Sequence, residues 1–203
     1  MNNRTVEQGA QTRRRIMDVA VDLFGRHGYR GCSLAQIATA ADVGQSNVLH
    51  HFGSKERLLI EILEEQFQVH EDVIDRIAHG ALTLSDRYDA LAARGPRSPE
   101  LVRLFSVMTG ESLTEGHPAR AFFERRYDLV RDRYATAIVQ HAEALGLRAS
   151  TDGVARLVNL VVATLDGLQL QWLRNPEAVD MQRSMTEVTD LVRMHLAALG
   201  GDA

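Results

Sequence analysis

Ser33–Phe52, SLAQIATAADVGQSNVLHHF, is the stretch from which the rest of the chain is read. Leu34, Ile37 and Ala38 recur at helical spacing. Ser33 stands before them as an N-cap, and Gln36 three residues on completes a capping box. The run ADVG then breaks the pattern. Ala40 and Ala41 let two helices approach closely, and Asp42 tolerates the left-handed conformation of a sharp turn. Val43 and Val48 pin a second helix on the first, which leaves Gln45, Ser46, Asn47 and His50 as a polar, outward-facing set. A short helix, a turn and a polar second helix describe a helix-turn-helix, whose second helix suits the major groove of DNA.

The totals are compatible with that reading. The 203 residues are 45% apolar and 25% charged, ordinary for a globular protein. No run of about 18 apolar residues suggests a membrane span. MNNRTVEQGAQTRRR carries no signal-type apolar segment, so the expected location is cytoplasmic. Cys32, the single cysteine, reads as a small residue near a helix start. Net charge is −4, but it is unevenly spread: residues 1–55 hold seven Lys/Arg against four acids, and the remainder 16 against 23. A basic N-terminal quarter on an acidic body is expected where one end faces phosphates.

Outward from the opening stretch, the first eleven residues read as disordered. A helix is expected from Thr12, with Ile16, Val19, Ala20, Leu23 and Phe24 at i, i+3, i+4, i+7, i+8, ending near Gly25 and Gly28. Arg13-Arg14-Arg15 in its first turn oppose the helix dipole, which points to an external anion such as a DNA phosphate. Gly53 breaks the second helix of the motif and Ser54 caps the next, a long one running toward Gly80. Further helices are expected over Ser85–Ala93, from Leu101 to before His117, over Ala119–Leu145, Asp152–Leu173 and Asp180–Leu199. The helix beginning at Asp152 is apolar around nearly its full circumference, as a helix buried on more than one side is. No strand alternation, internal repeat or low-complexity segment interrupts this all-α layout.

Taken together, RRRIMDVAVDLFGRHGY, SLAQIATAADV and VLHHFGSKERLL resemble the TetR family of bacterial transcriptional regulators over residues 12–60. The resemblance implies an N-terminal three-helix helix-turn-helix DNA-binding domain at 1–55. It also implies a C-terminal helical-bundle domain at 56–203 that binds a small-molecule effector and dimerises through its last two helices. The implied function is a dimeric repressor released from a palindromic double-stranded DNA operator by its effector. Carried over position by position, Ser33 could touch phosphate, Gln45, Ser46, Asn47 and His50 lie on the recognition helix, and Lys55 holds the phosphate-contacting lysine position. Arg13 and Arg14 join them as positioning cations. Three residues depart from the pattern: Asp42 stands where a turn glycine is usual, Gly44 replaces a Ser/Thr cap, and Leu49 replaces a common aromatic residue.

In the acidic body, Phe67, His70, Phe105, Met108, Glu111, Phe123, Tyr127, Asn159 and Thr164 combine apolar bulk with a few polar groups, as ligand pockets do. Glu111 and Asn159 sit in apolar stretches and need a partner if buried. The expected dimer face is Leu157, Val161, Leu165, Leu168, Trp172, Met185, Leu191 and Met194. The eight histidines lack the i, i+4 His/Glu ligand spacing of a zinc site, so no metal and no cofactor are expected. Neither a GxSxG motif nor a phosphate-binding loop argues for an enzyme. The alternatives are a helical protein-interaction module, or a DNA-binding protein without a small-molecule switch.

Overall fold

The computed structural model describes residues 3–78, 98–144 and 146–200, and every described element is a helix. In chain order these are α1 (Asn3–His27), α2 (Leu34–Ala40), α3 (Gln45–Phe52), α4 (Lys55–Ala78), α5 (Pro99–Glu111), α6 (Arg120–Ala144), α7 (Thr151–Arg174) and α8 (Met181–Gly200). The helix expected over Ser85–Ala93 lies outside the described residues. Two compact units emerge: Met1–Gln68 with Glu100–Phe123, and Val69–Pro99 with Glu124–Ala203.

The first unit is built around α1. Its Ile16, Ala20 and Phe24 are buried with Ile37 and Ala38 of α2, Val48 and Phe52 of α3, and Leu58, Leu59, Ile62 and Leu63 of α4. α1 begins at Asn3, nine residues before the expected Thr12. Val6 to Gln11 supply Glu, Gln and Ala, good helix formers that propagate an existing helix without tertiary packing, and Val6 remains exposed. α5 lies close along α1 at Gly25, where an added Cβ would stand 3.3 Å from the Leu104 amide nitrogen.

The second unit has one apolar cluster. Val130, Tyr134, Ile138 and Ala142 of α6 meet Val154, Val158, Val161, Val162 and Leu165 of α7, and Met181, Met185, Val192 and Leu196 of α8. Gly146 ends α6 with a positive φ of 73°, and Ser150 caps α7 by accepting from the Gly153 amide at 3.1 Å. By length and composition α7 is apolar enough to cross a bilayer, yet its apolar stripe is the one that fills this cluster.

Candidate nucleic-acid interface

The helix-turn-helix is held by backbone chemistry at each joint. The Ser33 amide donates to Gln36 Oε1 at 2.8 Å, and the Gln36 amide donates to Ser33 Oγ at 3.2 Å, so the capping box is complete. At the far end of α2, Asp42 takes φ 51°. Its amide donates to the Thr39 carbonyl at 3.1 Å, and the Val43 amide donates to the Ala38 carbonyl at 3.0 Å. Those two bonds form a Schellman motif with Asp in the position that glycine usually fills. α3 follows with Gly44 at its N-cap and no side-chain cap. Gly53 closes α3 at φ 76°, and Ser54 Oγ then caps α4 by accepting from the Arg57 amide at 3.2 Å.

This frame orients α3. Val48 and Phe52, four residues apart, are buried. Gln45, Ser46, Asn47 and His50 are all exposed on the remaining faces, as the sequence expectation requires. Each carries donors and acceptors matched to base edges: Gln and Asn suit adenine, and Ser suits several groups.

The flanking cations are placed differently. Arg13 Nη2 meets Glu61 at 2.7 Å and Nη1 meets Glu65 at 3.5 Å, while its guanidinium carbon lies 5.2 Å from the Phe52 ring centroid. Arg14 pairs with Asp18 and Glu65, both at 3.2 Å. Arg13 and Arg14 thus find anions inside the chain, on α4 and, for Arg14, also on α1. Lys55 Nζ donates to the carbonyls of Tyr29 at 2.9 Å and Cys32 at 2.8 Å, and sits 4.1 Å from the Tyr29 ring centroid. An ammonium has three donors, so this staple leaves one N–H for a phosphate. Ser33 Oγ is engaged in the capping box.

Arg57 is a cation that the sequence reading passed over. It is exposed in the first turn of α4, and no carboxylate among the described residues pairs with it. A basic residue in a first turn marks it in the sequence, whereas Arg13–Arg15, expected in the first turn of α1, lie about three turns inside it because that helix begins at Asn3.

Behind the motif, the α1–α2 turn is clamped by the end of α5. The Tyr29 amide donates to Glu111 Oε2 at 2.7 Å, and the Tyr29 ring meets the His117 ring edge-on at 5.3 Å. The Ala119 amide donates to His117 Nδ1 at 3.2 Å, which assigns the proton of the neutral imidazole to Nε2, 3.6 Å from Glu111 Oε2. Burial lowers the His117 pKa and Arg30 acts in the same sense, while Glu111 opposes them. On α3's last turn His51 is also lowered, by burial first and then by His50 and Arg13. Burial pushes the Cys32 thiol up, with Lys55 opposing.

The residues expected to meet an effector divide between the units. In the first, Phe67, Phe105 and Phe123 form a ladder of tilted and edge-on ring contacts, with centroids 5.0 Å and 5.4 Å apart, and Met108 is buried on the same helix as Phe105. Glu111 has its partner in the Tyr29 amide. In the second, Tyr127 donates to Asp166 at 2.7 Å, Thr164 donates back to the Leu160 carbonyl at 2.8 Å, and Asn159 is exposed. His70 lies on α4 beyond the residues whose side chains are described.

Of the expected dimer residues, Val161, Leu165 and Met185 are buried in the second unit's own cluster, with Leu157, Leu168 and Trp172 packed against it. Leu191 and Met194 are 63% and 67% exposed, and Leu160 and Leu170, outside the expected set, are also exposed. Among the described residues no group of three or more His, Cys, Asp and Glu is arranged to hold a metal ion.

Comparison with known proteins places this geometry. Residues 16–62 match the family described as bacterial regulatory proteins, tetR family. Over 196 residues the chain is 27% identical to an uncharacterized HTH-type transcriptional regulator in the dhlA 5' region of Xanthobacter autotrophicus, covering 90% of each chain. Among solved structures it is similar to SmeT, the repressor of the Stenotrophomonas maltophilia multidrug efflux pump SmeDEF, in its triclosan complex. The TM-score is 0.73 at 20% identity, over 93% of this chain and 91% of that one. It is also similar to the transcriptional regulator FadR from Bacillus subtilis in complex with stearoyl-CoA, with a TM-score of 0.69 at 16% identity, over 88% and 96%. At those identities the structural likeness speaks for the fold.

Proposed function

We propose that the chain belongs to the tetR family of bacterial regulatory proteins, whose model residues 16–62 match, and that it is a dimeric transcriptional repressor released from operator DNA by a small-molecule effector. The observation that carries the reading is the exposed row Gln45, Ser46, Asn47 and His50 on α3, standing on buried Val48 and Phe52 in a frame locked by the Ser33–Gln36 capping box. Side chains of this kind read bases, whereas Lys55, with one N–H left over, and the exposed Arg57 set register on phosphates. A two-fold dimer presents two copies of α3 to successive major grooves and favours a pseudo-palindromic site.

By function the chain divides near residue 55, with DNA reading before it and effector binding and dimerisation after it. Occupants in SmeT and FadR, triclosan and stearoyl-CoA, support an effector in this chain as well. We assign its first contacts to the aromatic ladder Phe67–Phe105–Phe123. Effector binding acts by population shift, favouring a spacing of the two α3 helices that no longer fits the operator. The protein works on DNA in the cytoplasm.

The test is selection of bound fragments from random DNA, followed by affinity measurements against salt. A selected sequence bound tightly over random DNA, with log K falling linearly in log salt, is expected. Equal affinity for every sequence overturns the reading. In the same assay Asn47→Ala weakens operator binding about 5- to 150-fold, the equivalent of one bidentate base contact at about 1–3 kcal/mol, while sedimentation still reports the dimer.

A further inference from the structure

Leu49 is 42% exposed on α3, although the helix's other exposed residues, Gln45, Ser46, Asn47 and His50, are all polar. Packing covers only part of it, and Val48 and Phe52 already hold α3 on the core, at 0% and 1% exposure. Leu49 stands four residues after Gln45 and three after Ser46, so it shares their flank of the helix. An apolar side chain in that row faces water in the free protein and gains only from an apolar partner. The major groove offers one such partner at its base edges, the C5-methyl group of thymine. We propose that Leu49 is a specificity-determining residue that reads a thymine methyl beside the bases met by Gln45 and Ser46. The assignment rests on the DNA-reading role of α3.

Deoxyuridine provides the test, because it differs from thymidine only by lacking that methyl. Each thymine of the selected operator is replaced in turn by deoxyuridine, and affinity is measured for the full-length wild type and for Leu49→Ala. Wild type is expected to lose about three- to fivefold at one symmetry-related thymine per half-site, the worth of one buried methyl. Leu49→Ala is expected to bind thymine and uracil equally there and to keep wild-type responses at every other position. Since Leu49 is exposed, the variant should retain the wild-type melting temperature, which separates lost reading from lost fold. Wild-type indifference to every replacement overturns the proposal while operator binding stands. So does a Leu49→Ala variant that keeps the full uracil penalty. Failure to select any operator removes the DNA-reading role itself, and this assignment with it.

Discussion

Lys55 and His117 show how single residues here answer two demands. The Lys55 ammonium is committed to the carbonyls of Tyr29 and Cys32, so it fixes the α1–α2 turn before any phosphate is near. His117 is buried against the same Tyr29 and held neutral through Nδ1. Its pKa is lowered in the fold, chiefly by burial. The unfolded chain therefore takes up a proton below its ordinary value of about 6.5, which the folded chain resists. Stability is complete above that pH and falls as pH drops below it, by at most about 1.4 kcal/mol per unit. Denaturant midpoints at pH 7.5 and 5.5 should differ less in His117→Asn than in wild type. An unchanged slope would mean that another group carries the acid sensitivity. His51, lowered in the same direction, supplies part of any slope that remains.

At the level of the element, the turn between α2 and α3 contains a removable strain. Asp42 occupies the left-handed position of the Schellman motif at φ 51°, where an L-residue other than glycine is disfavoured. Asp42→Gly relieves the Cβ crowding at some entropic cost, and we expect a net gain of about 0.5 kcal/mol. Urea melts should show a higher midpoint at the same m-value; a lower midpoint would mean that the aspartate side chain supports the turn. This joint was legible in sequence because everything it uses is local: Ser33 and Gln36 are three residues apart, and Asp42 acts on its own backbone. The partners of Arg13, Lys55 and Glu111 were not. They lie 48, 26 and 82 residues away, and spacing along one helix says nothing about what faces it. The same gap separates the two kinds of dimer candidate. Periodicity marked Val161, Leu165 and Met185 as apolar but could not say that their own unit would bury them.

Over the whole molecule, the exposed apolar pair on α8 is where association should be sought. Leu191 and Met194 are three residues apart and exposed within a single chain, so replacing both with Glu leaves the monomer core alone. We expect sedimentation of the Leu191→Glu/Met194→Glu double variant to shift from dimer to monomer with unchanged helical circular dichroism. A variant that still sediments as a dimer moves the interface elsewhere. The clamp on the α1–α2 turn also carries a consequence for heredity. Gly28 has φ +73°, and a Cβ on it would overlap Glu111 Oε1, so what position 28 tolerates depends on the side chain at position 111. A paired mutational scan should find epistasis between codons 28 and 111. Gly28→Asn alone, with a residue that tolerates the left-handed backbone, should fail in thermal denaturation. Adding Glu111→Ser should recover part of the loss, because the shorter side chain vacates the space even though the Tyr29 amide loses its carboxylate. If the double variant is no better than the single, the two sites evolve independently.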